Sequence, residues 1–328
     1  MTISRRSIIA ALAVAIATLP AVDVRAQGTY PDRTIKLIIP FPPGGLFDTV
    51  GRPLADKLKA HLGTIIIENV GGAGSSRGAA MAARAAPDGY TLFLAGNGSH
   101  VVMPIAASKI TYDPVKDFEP IALIGTAPLG VGMHPSQPFK SLADFIDAVK
   151  REPGKLSFGS AGTGSLSHLT GEMFKLRAKA PGIVHVPYTG GGPLSNDLVG
   201  GHIPVAMINL TSQFFELHAA GKMRILAVTT PSRLPLTPDI PAAVETIPGM
   251  ISQNFAGLYA TKGTPAPIIQ RISAAVAKAM GDPELQRIYA AGGFSPSKDG
   301  SPEVMRKFLE DEITRWRPVI EASGFKVN

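Results

Sequence analysis

Pro40-Phe-Pro-Pro-Gly-Gly-Leu-Phe-Asp-Thr-Val-Gly-Arg52 follows directly on the apolar run Ile35-Lys-Leu-Ile-Ile39, and this junction decides the fold. An apolar run that stops at a Pro/Gly turn, with helical spacing from about Asp48, is a strand feeding a helix. Open α/β sheets bind ligands at such strand ends. Gly44 and Gly45 leave backbone N–H groups unshielded, and the helix start adds partial positive charge suited to an anion. Every β–α connection shares these features, so the stretch alone is equally an ordinary turn.

The same unit repeats outward along the chain. Val50, Leu54, Leu58 and Leu62 recur at helical spacing, with Pro53 in the first turns of the helix. Thr64–Glu68 reads as a strand ending in Asn69-Val-Gly-Gly-Ala-Gly74, and Thr91–Ala95 as one capped by Gly96-Asn-Gly-Ser-His100. Further strands are expected at Ile121–Gly125, Lys155–Phe158, Ile183–Val186, Pro204–Ile208 and Arg224–Val228, with helices between them. Ser141 and Asp144 mark one helix start. After Gly257–Ala260, long amphipathic helices at Pro267–Met280, Pro283–Ala291 and Pro302–Ser323 lack a glycine loop and are assigned a structural role, with Trp316 in the core. Strand–helix alternation throughout predicts an α/β fold with parallel sheets.

Composition narrows the function. The 328 residues allow two domains, and the absence of cysteine excludes disulfides, thiolate metal sites and cysteine nucleophiles. Arg5-Arg6, the apolar stretch Ile8–Val22 and Val24-Arg25-Ala26 form an export signal with cleavage expected after Ala26. Ser4–Ile9 also resembles a twin-arginine signal, which leaves the export route open. Removing the net +2 of this segment from the formal +7 leaves +5 on the mature chain. Those charges are scattered, which argues against nucleic-acid binding, while a mild positive field favours small anions.

Catalytic patterns fail on spacing. Gly74-Ser-Ser-Arg-Gly78 fits G-x-S-x-G, but Asn69–Ala73 separates it from the strand and Ser76 falls inside a helix. Arg77 stands where the dinucleotide fingerprint needs its third glycine. The histidines lack metal-ligand spacing, so neither a metal nor a cofactor is expected. Gly159-Ser-Ala-Gly-Thr-Gly-Ser165 carries more small and hydroxyl residues than a helix cap needs, and Tyr188–Gly191 follows at the next strand end. Polar loops on one side of a sheet, with no nucleophile–base pair evident, describe a binder and not an enzyme.

Together these loops resemble those of the periplasmic receptors of tripartite tricarboxylate transporters, the Bug-type solute-binding proteins. The resemblance runs from about Tyr30 to Lys326. It is carried by Pro42-Pro-Gly-Gly45 with Asp48 and Arg52, by Glu68-Asn69 with Gly72-Ala-Gly74, and by Pro87-Asp-Gly-Tyr-Thr-Leu92. Tyr112-Asp-Pro114 with Asp117-Phe118, Ser160-Ala-Gly-Thr-Gly164 with Ser167-His-Leu169, and His185-Val-Pro-Tyr188 add to it, as do Leu226–Val228 and Gly263–Pro267. It implies a two-lobed periplasmic-binding-protein (Venus-flytrap) fold, each lobe a mostly parallel sheet flanked by helices. Residues 27–128 plus 256–328 would form lobe 1 and 129–255 lobe 2, with crossings near Thr126–Met133 and Ser252–Leu258.

The implied function is capture of a small organic acid between the lobes and delivery to membrane permease subunits. The receptor would work in the periplasm as a monomer, without cofactor, metal or catalysis. The expected ligand contacts are Pro43, Gly44, Gly45, Leu46, Phe47 and Asp48 on the first loop, and Asn97, Gly98 and Ser99 on another. In the middle block they are Ser160, Ala161, Gly162, Thr163, Gly164, Ser165 and His168, then Tyr188, Gly190 and Gly191, and finally Ile208 and Asn209. Two positions depart from the family pattern: Leu46-Phe47 replace small or hydroxylic residues, and Ile208 replaces an aspartate. They point to a dicarboxylate or aromatic acid with an apolar body over an amino acid, although Phe47 is equally readable as core. The competing readings are a secreted α/β hydrolase using Ser76 and a receptor that signals to a sensor kinase.

Overall fold

In the computed structural model, which describes residues 30–327, β1 (Ile35–Ile39) lies between β2 (Ile65–Asn69) and β3 (Thr91–Ala95), all parallel. The export signal expected at residues 1–26 lies outside the described residues. Burial on both faces is what a near-continuous apolar run such as Ile35–Ile39 requires. Helix α1 (Leu46–Leu62) returns along the sheet and buries Val50, Leu54, Leu58 and Leu62. It starts two residues earlier than the sequence suggests, so Pro53 sits inside the helix and not in its first turn. After β2 a short 3-10 turn leads into α2 (Ser76–Ala83). After β3 a π-helical turn, Gly98–Val102, leads into α3 (Met103–Ala106).

The sheet then turns mixed. Strand β4 (Phe118–Met133) is 16 residues long and runs well past the expected Gly125. Pro128, Gly130 and Gly132 hide the extension in the sequence. Their reason is packing: a Cβ on Gly130 would sit 2.7 Å from Leu210 Cδ1, and one on Gly132 2.8 Å from Ile208 Cδ1. Helix α4 (Leu142–Arg151) opens on a capping box between Ser141 and Asp144, as expected. Then follow β5 (Ser157–Ser160), α5 (Leu166–Arg177), β6 (Val184–Pro187), α6 (Gly191–Val199), β7 (Val205–Asn209), α7 (Ser212–Ala219) and β8 (Arg224–Val228). Strand β9 (Gln253–Thr261) precedes α8 (Ala266–Met280), α9 (Pro283–Ala291), β10 (Ser295–Pro296) and α10 (Pro302–Ser323).

The strand order is β2-β1-β3-β9-β4-β7-β5-β6, with β8 and β10 pairing with β4. Strand β4 joins the two halves. Its residues up to Pro128 pair antiparallel with β9, and from Leu129 onward they pair antiparallel with β7 and β8. The parallel pairing read from strand–helix alternation holds for β1–β3 and for β5–β7, while the long strands enter antiparallel. One apolar cluster extends from Ile38 and Phe93 through Val131 to Phe158 and the fully buried Trp316. A second, with Leu194, Ile208, Leu210 and Val228, packs around β7 and β8.

Candidate functional site

The loop between β1 and α1 is shaped by one buried carboxylate. Asp48 Oδ2 accepts from the Gly44 N–H at 3.0 Å and from Arg52 Nε at 2.8 Å. Asn69 Nδ2 donates to Asp48 Oδ1 at 3.1 Å and to the Phe41 carbonyl at 3.0 Å. The hydrogen bond from Arg52 is the main reason the Asp48 carboxyl is held down at about 2. All its bonds therefore point into the loop, so Asp48 organises the turn and is not among the residues that line the cavity described below. Helix α1 opens on Gly45 without a side-chain cap. The N–H groups of Leu46 and Phe47 consequently have no partner among the described residues.

A second helix start faces the same space. Ser165 caps α5 by accepting from the His168 N–H. The loop before it is tied internally. Ser160 Oγ accepts from the Gly162 N–H, Ser167 Oγ from the Ala161 N–H, and His168 Nδ1 from the Gly164 N–H at 3.1 Å. That last bond requires a lone pair on Nδ1, so His168 is neutral here, in line with a pKa lowered mainly by burial. Thr163 is exposed, and both its N–H and its hydroxyl lack a partner among the described residues.

Between the two helix starts lies a cavity of about 720 Å³. Pro43, Gly45, Leu46, Phe47, Asn97, Gly98, Thr163, Gly164, Ser165 and Asn209 line it, all expected from the sequence. Phe41, Gly74, Met103, Leu166, Asn254, Phe325 and Val327 line it too and were not foreseen. No lysine, arginine, aspartate or glutamate is among the lining residues. Phe47 stacks on Phe41 with ring centroids 4.6 Å apart, and its ring packs so closely on Gly96 that a Cβ there would lie 2.1 Å from it. Phe47 is thus both packed and a wall, which joins the two readings left open by the sequence.

Asn97 is held rigidly at the rim of this space. Its Oδ1 accepts from the Phe255 N–H at 3.1 Å, and its Nδ2 donates to the buried Glu312 at 3.3 Å. Glu312 also accepts from Trp316 Nε1 at 3.1 Å and pairs with Arg315. One Nδ2 hydrogen and one Oδ1 lone pair of Asn97 remain uncommitted. Across from it, Asn254 Nδ2 donates to Asn209 Oδ1 at 2.7 Å, which joins β9 to β7.

Other expected residues lie behind or beside the cavity. Ser99 is fully buried and bonds back to Gly96 because residues 98–102 form a helical turn and not an open cap. Ser160 is fully buried with its hydroxyl 2.7 Å from His185 Nε2, and His168 packs on His185 with centroids 4.2 Å apart and planes tilted by 31°. This Ser–His pair escaped the sequence reading. Burial, then the neighbouring His168, lowers His185 to about 4. Ser160 is sealed from solvent, so the pair serves as packing and not as a nucleophile with its base. Gly44 and Gly162 shape the loops through their backbone bonds, Gly190 precedes α6, and the Tyr188 hydroxyl is spent on Asp197 at 2.9 Å.

Ala161, Gly191, Ile208 and Asn209 meet in a smaller cavity of about 320 Å³, which shares Asn209 with the first. Ser76 donates its hydroxyl to the Ala73 carbonyl at 2.6 Å at the start of α2, away from any strand-to-helix elbow. A cavity of about 750 Å³ between α8 and residues 297–303 receives none of the strand-end loops. No cluster of three or more potential metal ligands occurs among the described residues.

The family profile described as the tripartite tricarboxylate transporter family receptor matches residues 50–325. Among solved structures, the periplasmic binding protein BugD is 30% identical, with a TM-score of 0.73 over 90% of this chain and 99% of its own. Rpa4515 of R. palustris, solved with adipate, is 32% identical, with a TM-score of 0.76 over 90% of this chain and 99% of its own. MatC of Rhodopseudomonas palustris, solved with malate, is 32% identical, with a TM-score of 0.74 over 89% of this chain and 100% of its own. The chain therefore belongs to the tripartite tricarboxylate transporter receptor family and has the α/β periplasmic-binding-protein fold.

Proposed function

We propose that this chain, as a member of that family of periplasmic solute receptors, captures a small organic carboxylate with an apolar body and passes it to membrane permease subunits. The observation that carries the reading is the 720 Å³ cavity, where two uncapped or hydroxyl-capped helix starts meet walls of Phe41, Phe47, Leu46 and Met103. Backbone N–H groups at helix starts stabilise a carboxylate without a cationic clamp. Their partial charge is modest, so a ligand gains further from burying apolar area against the aromatic walls. Adipate and malate in the related structures support the carboxylate class. Ile208, buried in the second cavity, supplies no acceptor for an ammonium group, which disfavours amino acids.

The lobes are assigned as residues 27–128 plus 256–328 and residues 129–255. The supporting feature is the change of β4 partners at Pro128/Leu129. Closure of one lobe on the other would desolvate the ligand. No catalysis is assigned: Ser76 lacks an elbow and Ser160 lacks access. The test is titration calorimetry of the purified protein against C4 to C10 dicarboxylates, benzoate, phthalate, aspartate and glutamate. Binding of an apolar-bodied acid, weakened about tenfold or more by Thr163→Val, is expected from the loss of a charge-assisted bond. Tight binding of aspartate or glutamate alone would refute the ligand class.

A further inference from the structure

The last residues of the chain carry no recognisable binding motif, yet two of them line the cavity. Helix α10 ends at Gly324, and the Phe325 N–H then bonds back to Ser323 Oγ at 3.1 Å. Val327 is pinned against the end of α3. Its N–H donates to the Ala106 carbonyl at 2.9 Å, and its carbonyl accepts from the Ser108 N–H at 3.0 Å. These bonds hold the segment on both sides of Phe325, which is half-buried and faces the cavity.

The ring of Phe325 covers Gly164. A Cβ built on Gly164 would meet Phe325 Cζ at 2.4 Å and Cε2 at 2.8 Å, so the two groups touch with no spare room. The edge of the ring also approaches His168, with centroids 6.1 Å apart and planes at 77°. Gly164 stands between Thr163, with its free donors, and Ser165, the cap of α5. The far edge of the ring, which touches Gly164, therefore stands beside the donors that would take a carboxylate.

We infer that Phe325 is a specificity-determining residue. The C-terminal segment forms a wall of the ligand cavity, and its ring sets the length and girth of the apolar body next to the bound carboxylate. The inference rests on the proposed carboxylate-receptor function and goes beyond it by naming a selecting residue outside the strand-end loops. Phe41 and Phe47 form one aromatic wall and Phe325 another, so the ligand class is an acid whose carbon skeleton fills the space between them: an aliphatic dicarboxylate or an aryl carboxylate.

The experiment compares wild type with Phe325→Ala, Phe325→Leu and Phe325→Trp by calorimetry against C4 to C10 α,ω-dicarboxylates and benzoate. Removing the ring is expected to weaken the best wild-type ligand at least tenfold, since each methylene that loses contact costs about fourfold in affinity. The optimum should move to longer acids in Phe325→Ala and to shorter ones in Phe325→Trp, with Phe325→Leu between wild type and Phe325→Ala. An unchanged ranking, or an equal loss across the whole panel, overturns the selecting role and leaves the receptor reading standing. Wild-type protein that binds none of these acids refutes the receptor reading itself. Should Phe325→Ala fail to fold, the opposite shifts expected of the leucine and tryptophan variants decide the matter.

Discussion

Gly164→Ala is the sharpest probe of the contact between the C-terminal segment and the α5 loop. Two costs can be separated. Gly164 has φ +81°, where an alanine costs about 1 kcal/mol whatever surrounds it. The added Cβ would also lie 2.4 Å from Phe325 Cζ, where carbon atoms prefer about 3.5–4.0 Å, so the ring must retreat by roughly 1 Å. Overpacking of that kind costs about 1–3 kcal/mol. The single variant should therefore lose about 2–4 kcal/mol of unfolding free energy. In a Phe325→Ala background the clash is gone and only the backbone cost of about 1 kcal/mol remains. Urea unfolding of wild type, both singles and the double variant gives the coupling directly. Independent sites add within about 0.5 kcal/mol, so an additive cycle would show that Phe325 does not rest on Gly164.

Asp48→Asn should loosen the first loop and cost about 1.5–3 kcal/mol at neutral pH, because bonds to a charged acceptor from Gly44, Arg52 and Asn69 are weakened. The Asp48 pKa lies at about 2 in the fold against 3.8 as a model value, so its contribution is complete above pH ~4 and fades as pH falls through ~2. Urea midpoints of the variant should fall less over that interval than those of wild type. His100, fully buried with its pKa lowered to about 3 by burial, gives stability that is whole above pH ~6.5 and declines toward pH ~3 at up to about 1.4 kcal/mol per unit. His100→Phe should remove that part of the acid slope, and an identical slope would refute the assignment. Glu312→Gln keeps an acceptor for Trp316 and Asn97 but leaves Arg315 without its charge partner, so a loss of about 1–3 kcal/mol is expected. The emission of Trp316, the single tryptophan, should shift with it, and ligand affinity should fall through the loosened Asn97.

Periodicity carried the elements well wherever one residue pattern served one purpose. Ile35–Ile39, Thr91–Ala95 and the late helices were readable because their apolar spacing answers to burial alone. Strand β4 is hard to read past Gly125 because Pro128, Gly130 and Gly132 are turn residues by composition. Gly130 and Gly132 are strand residues here because Leu210 and Ile208 lie against the backbone, 80 and 76 positions away in the chain. Asp48 shows the same limit at the site. Its place beside Gly44-Gly45 was legible, but the direction of its carboxylate depends on the Gly44 N–H, Arg52 and Asn69, which donate to it together.

The C-terminal segment was illegible for a different reason. A phenylalanine after a helix-ending glycine has no local feature that marks it as a ligand wall; only closure of the chain brings it to the α5 loop. Two bonds to Ala106 and Ser108 fix Val327, and the ring two residues earlier then reaches Gly164. The consequence for selectivity is that the first loop supplies both donors and one apolar wall, while a second wall, Phe325, comes from a distant part of the chain. Backbone N–H groups at the strand-end loops suit any carboxylate, so on the proposed reading discrimination falls to the apolar walls. Phe47 is confined by Phe41 and Gly96, which limits its freedom to adapt. Phe325 is half-buried, with Gly164 and His168 beside it and the main apolar cluster behind it, and it also lines the cavity. On the proposed reading, substitutions at Phe325 would alter ligand choice while the loops that present the N–H donors stay as they are.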